Sequence, residues 1–186
     1  MKNVIGVGES AHVTASNFRN MLIGILGKES YIFNTGECLA TTLVSNNQLD
    51  IGTGMIFHNG TLSVEEKGAS VAITNGTQGM KRIDLVVNRY QRDEATQIET
   101  NEWVCIIGTP DTSSPVAPAH TVGDVMNDDL IDDCPVFQIT LDGLNVTEVK
   151  CLLPIMKNVS EKQNQITGGT AEPTGGEDND VYVQYE

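Results

Sequence analysis

Five aspartates crowd one short stretch, Asp124, Asp128, Asp129, Asp132 and Asp133 within "GDVMNDDLIDDCP". Carboxylate oxygens at that density are the hard ligands that Ca²⁺ takes, which makes Asp128, Asp129, Asp132 and Asp133 the candidate cation ligands. The same groups, held in pairs at a suitable separation, would serve glycoside hydrolysis as acid and base. The run nevertheless lacks the D-x-[DN]-x-[DN]-G spacing and distal Glu of a calcium loop. The plainer reading is a solvated acidic loop, or a single helical turn stopped by Pro135. "EDND" at 177–180 reads the same way.

The other reactive residue types are scattered. His12, His58 and His120 stand in unlike contexts, and no G-x-S-x-G or P-loop occurs, so no local signature supports a Ser-His-Asp or Cys-His arrangement. Each histidine reads as a surface or strand residue. Cys38, Cys105, Cys134 and Cys151 form no C-x-x-C and no Cys/His cluster, which argues against zinc. Cys105 in "EWVCIIG" and Cys151 in "EVKCLLP" sit in apolar strands and read as buried reduced thiols. "GVGES" has two glycines of a dinucleotide fingerprint without the third glycine or a preceding strand, and no cofactor is expected from it. Arg82, Arg89 and Arg92 alternate with Asp84, Asp93 and Glu94, a pattern that cross-strand ion pairs explain. Trp103, Tyr31 and Tyr90 are the rings that would stack on sugars. Trp103, between Glu102 and Val104 in a strand, reads as core.

The chain of 186 residues has a formal net charge of −14, with 39% hydrophobic but only 5% aromatic residues. A core built on Val, Ile and Leu favours pleated sheet. The acidic balance argues against nucleic acid and against anionic membrane surfaces, and suits a solvated exterior or basic partners. "MKNVIGVGES" is too short and too broken by glycine for a secretory h-region, so synthesis in a cytoplasm without a signal peptide is expected. No apolar run reaches the roughly 18 residues of a membrane span. The four N-x-[ST] sites at Asn59, Asn75, Asn145 and Asn158 therefore read as turn residues.

One helix is expected early. In "HVTASNFRNMLIGILGKES" the residues Phe18, Met21, Leu22, Ile25 and Leu26 recur at helical spacing, with Thr14 or Ser16 as cap and Gly27 at the end. From residue 31 short strands follow: "LATTLVS", "LDIGTGMIFHNG", "TLSVEE" and "SVAITNG". "HNGT" signals a two-residue hairpin, because Asn-Gly tolerates positive φ at both turn positions. "KRIDLVVNRYQRD" is a strand with Ile83, Leu85 and Val87 on one face and Asp84, Asn88 and Tyr90 on the other. It returns through a charged tip into "NEWVCIIGTP". "TPDTSSPVAPAH", with three prolines, is an extended connector. In "VFQITL" the residues Phe137, Ile139 and Leu141 share a face, and "NVTEVKCLLP" is the last core strand. After Pro154 the chain turns polar and glycine-rich, a linker or mobile tail, with "VYVQYE" a strand-forming patch that pairs with something, another chain included.

The order of "HVTA", "GTGMIFHNG", "NGTQGMKRIDLVVNRYQRD", "VCIIGTPDTSSPVAPAH" and "DCPVFQITLDGLNV", over residues 11 to 153, resembles tailed-bacteriophage and prophage virion proteins of Gram-positive hosts. These are baseplate or tail-fibre-associated structural proteins. The resemblance implies a non-enzymatic part of the tail that docks onto other tail proteins as a homo-oligomer, a trimer by expectation, with no catalytic residue to carry over. A dedicated receptor-binding protein has a long shaft and head beyond such a linker, so an adaptor or accessory is expected instead. Phe18, Met21, Leu22 and Ile25 are then candidates for an assembly surface. The fold expected is a mainly β, sandwich-like antiparallel body at 29–156, with a helix-bearing segment at 1–28 and a flexible tail at 157–186. The alternative function is a carbohydrate-binding β-sandwich module that contacts host-surface glycans, with the acidic loop holding Ca²⁺.

Overall fold

The computed structural model describes residues 13–157, 167–169 and 182–184, and the protein is mainly β. Its first element is α1 (Ala15–Leu26). Thr14 caps it by accepting a hydrogen bond from the Asn17 amide at 3.2 Å, and Gly27 ends it at φ 85°. Eleven strands follow in the body. They are β1 (Tyr31–Phe33), β2 (Thr41–Ser45), β3 (Gln48–Ile51), β4 (Gly54–His58), β5 (Thr61–Glu65), β6 (Ala69–Ala72), β7 (Lys81–Arg92), β8 (Glu99–Ile106), β9 (Ile131–Asp142), β10 (Asn145–Cys151) and β11 (Ile155–Met156). A 3₁₀ turn at Val125–Asn127 precedes β9. No helix among the described residues is long and apolar enough to cross a membrane.

The strands form three sheets in the orders β11-β1-β4-β5, β2-β3-β6 and β10-β9-β7-β8. One core joins them. It takes Ile32 and Ile56 from the first, Leu49, Ile51 and Val71 from the second, and Val86, Phe137, Ile139 and Leu141 from the third. The fold is therefore sandwich-like, with β-branched and leucine side chains filling the space between layers, as 5% aromatics require. The "HNGT" turn forms as the sequence dictates, with Asn59 at φ 47° and Gly60 at φ 85° between paired His58 and Thr61. The shared inward face of Phe137, Ile139 and Leu141 also holds.

Three sequence readings need correction. "LDIGTGMIFHNG" is two strands, β3 and β4, because Gly52 and Thr53 turn the chain between sheets. β10 is an edge strand, paired only to β9, with Val146 and Val149 alone leaning on the core. The expected alternation of β7 holds, and both of its faces are buried: Ile83, Leu85 and Val87 lie on one, and Asp84, Asn88 and Tyr90 share the other with the core residue Val86. A carboxylate is tolerated there because Asp84 accepts from Arg82 Nε at 2.8 Å, Arg82 Nη2 at 2.9 Å and the Gly108 amide at 2.9 Å.

The third correction matters most for the site. Pro135 does not end a loop; it lies inside β9, opposite Val87, where the β7–β9 register shifts. A proline lacks the N–H for a regular ladder and is accommodated at such a bulge. Asp132 and Asp133 are therefore strand residues, each 2% exposed.

The chain divides into two compact units, one ending at Ile155 and the other starting at Met156. In the second unit β12 (Thr167–Gly169) pairs in parallel with β13 (Tyr182–Gln184), so the terminal patch has a partner within its own chain. The rest of the expected tail, "EDND", Asn158, His12 and "GVGES" lie outside the described residues.

Candidate assembly surface and polar sites

The five aspartates do not converge. Asp132 points inward from β9, where its Oδ1 accepts from the Gly123 amide at 2.9 Å and its Oδ2 from Asn59 Nδ2 at 3.3 Å. Asp133 points to the opposite face and takes a bidentate grip from Arg89, Nε at 2.6 Å and Nη2 at 2.9 Å, plus the Thr121 amide at 2.9 Å. Asp128, at φ 68°, meets Arg92 Nη1 at 3.0 Å in the open. Asp129 accepts from the Asp124 amide, while Asp124 caps the 3₁₀ turn by accepting from Met126. Asp132 and Asp133, successive residues of β9, face opposite ways and cannot share an ion. No cluster of three or more metal-ligating side chains occurs among the described residues.

The arginines partner differently from a simple cross-strand ladder. Arg89 does reach across to β9, but Arg82 and Asp84 are two apart on one strand and share its inward face. Arg92 reaches the turn before β9.

The structure does bring together one group that sequence reading left apart. His58 Nδ1 lies 2.6 Å from Ser30 Oγ, and His58 Nε2 lies 3.2 Å from Asp132 Oδ2, with Cys134 beside it. The Nε2 approach is an ion pair rather than an aligned hydrogen bond. Burial opposes a charge on His58, but the Asp132 carboxylate and Cys134 outweigh it and push the pKa up to about 10. Burial likewise works against the charge on Asp132, yet His58, Gly123 and Asn59 hold its pKa below the ordinary value. The upward shift favours the charged imidazole, so the arrangement reads as a charge pair of His58 with Asp132, with Ser30 at the other ring nitrogen. Sequence could not find it, since its members are 28 and 74 residues from His58. Burial, with Asp84 nearby, pushes the pKa of the half-buried Cys105 thiol up to about 11, which favours its neutral form. Cys151 is exposed rather than buried, because β10 is an edge.

The three rings also separate. Tyr90 is 2% exposed beneath the Arg19 guanidinium, 5.8 Å from the ring centroid. The Tyr31 hydroxyl donates to Glu29. Trp103 packs against Phe137, with ring centroids 6.1 Å apart.

The helix is where apolar surface is left over. α1 contributes no buried residue. It rests on the body through Arg19, which pairs with Glu99, and through Ile23, whose side chain closes on Gly60. Leu22 faces the same side and is half-buried. Met21 and Ile25 point away and are 48% and 71% exposed, while Phe18, 47% exposed, stands at the rim of a groove that Leu22, Gly60 and Tyr90 also line. Of the four assembly candidates, three are therefore exposed and Leu22 borders them. Even Gly24 on this helix looks onto open space.

Comparison of the chain with family models, with curated proteins and with solved structures gives no match.

Proposed function

We propose that this chain is a non-enzymatic structural protein of the phage-tail or prophage-tail kind, a baseplate or fibre adaptor that works by assembly with itself and with other tail proteins. The observation that carries the reading is the stripe of Phe18, Met21 and Ile25 on a helix with no buried residue. A 12-residue helix is marginal in water alone, and its apolar face is its main source of stability once covered. A second copy of α1 presenting the same stripe is the simplest cover, since symmetric self-association repeats one patch. The order of motifs along residues 11 to 153, which resembles virion structural proteins, agrees with this. The reading assigns no catalytic residue, and it places the protein in the virion tail.

Light scattering behind a sizing column tests it. Wild type should elute as an oligomer, a trimer in this proposal, and the Phe18→Ser, Met21→Ser, Ile25→Ser triple variant should run at the 20.1 kDa of one chain. A wild-type protein that stays at single-chain mass at concentrations of about 100 µM, where even weak specific interfaces fill, would sink the proposal.

A further inference from the structure

One side of the sandwich is left open. β5 is the edge of the first sheet and β8 the edge of the third, and between them lies a cleft of about 310 Å³. Inward positions of a sandwich are ordinarily apolar, because the two sheets interdigitate there. Here Ser63 and Glu65 on β5, Asn88 on β7 and Asn101 on β8 are polar, and they line the cleft with Trp103 and the floor residue Leu39. Their hydrogen bonds prearrange them. Asn88 Oδ1 accepts from Ser63 Oγ and from Asn101 Nδ2, both at 2.9 Å. Trp103 Nε1 donates to Glu65 Oε2 at 3.2 Å, which fixes indole and carboxylate side by side.

That arrangement leaves capacity unused. Asn88 is 7% exposed, yet its Nδ2 donates to no protein acceptor. The Asn88 Nδ2 group is not sealed from solvent, so it stands open in the cleft to donate to a polar ligand. Glu65 and Glu102 both line the cleft, and Glu65 turns into it through its bond to the Trp103 indole. Glu102 stands opposite Arg89 in the β7–β8 pairing. An anion is therefore disfavoured, and the charge of Glu65 is shared with neutral N–H donors while its carboxylate keeps lone pairs open to a hydroxyl.

We propose that the β5–β8 cleft is a binding subsite for one neutral hydroxylated ring, a single hexopyranose unit. Ring hydroxyls both donate and accept. The Asn88 N–H would donate to one, Asn101 Oδ1 and the Glu65 carboxylate would accept from others, and the indole offers an apolar surface to the C–H side of the ring. The site needs no metal, and it does not use Tyr31 or Tyr90. Leu62 and Asn101 also border the groove beside Phe18 and Leu22, but the cleft uses no residue of α1, so its failure would leave the assembly proposal standing.

Trp103 is the chain's single tryptophan, and its emission reports on the cleft directly. The probes are methyl glucopyranoside, methyl galactopyranoside and methyl N-acetylglucosaminide, the matching disaccharides to separate a free unit from a chain terminus, and acyclic sorbitol. The expected result is a saturable emission change with at least one pyranoside and little with sorbitol. The exposed-residue variant Asn101→Ala should weaken it by about tenfold or more, a difference of one lost hydrogen-bonding contact. Ser63→Val, which adds bulk to the cleft, should abolish it. No saturable change with any pyranoside on folded protein would overturn the proposal. So would an equal response to sorbitol, or binding that survives in both variants.

Discussion

The pair of His58 and Asp132 carries a consequence in pH. His58 is pushed from 6.5 to about 10 when folded, so its charge stabilises the fold fully below pH 6.5, and that contribution is lost as pH rises toward 10. Urea midpoints measured across this window should fall steadily for wild type, and the fall should be shallower for His58→Gln. Parallel slopes for the two proteins would show that the pair contributes nothing. The sequence displayed every member of this network but not the partnerships. Arg82, Arg89 and Arg92 were legible as ion-pairing residues from their alternation with acids. Asp132 and Asp133 were not legible as buried, because a proline two residues on reads as a stop. Because a bulge lets Pro135 sit within β9, Asp132 and Asp133 are strand residues, and ordinary alternation puts them on opposite faces. No single-residue signal announces such a bulge.

At the scale of elements, turn chemistry was the most legible feature and strand partnership the least. Asn59-Gly60, Gly143 after Asp142, and the charged tip between β7 and β8 follow from local φ/ψ preference, which the sequence states directly. Which strand lies at an edge depends on pairing across long separations, so β10 looked like a core strand until its neighbours were known. The contact of α1 with the body shows both levels at once. Gly60 takes φ 85° for the hairpin, and a Cβ there would stand 2.9 Å from Ile23 Cδ1, so the same glycine seats the helix. Gly79, at φ 75° with open space around it, supplies the control. Gly79→Ala should cost only the backbone strain, about 1 kcal/mol. Gly60→Ala should cost measurably more in chemical denaturation and should lower the helical signal in circular dichroism as α1 lifts off. Equal costs for the two would mean that α1 draws nothing from this contact.

For the whole molecule, charge and apolar surface act in opposition. A net charge of −14 makes copies of the chain repel one another, while the Phe18, Met21 and Ile25 stripe draws them together through burial. Mainly-β class and the polar character of the chain were readable from composition, since both are sums over many residues. An exposed stripe and a buried one have the same periodicity, so the sequence could name Phe18, Met21, Leu22 and Ile25 without telling which of them the body would cover. The balance between repulsion and burial gives a dependence that a purely polar interface would not have. Raising salt from about 0.02 M to about 0.5 M shortens the screening length severalfold and removes most of the repulsion between exposed charges. Self-association through the stripe should therefore tighten with salt in sedimentation equilibrium. The triple serine variant should stay single-chain at every salt concentration. If instead association weakens as salt is added, the subunits are held by charge pairs such as Arg92 with Asp128 repeated between copies, and α1 is not the surface that joins them.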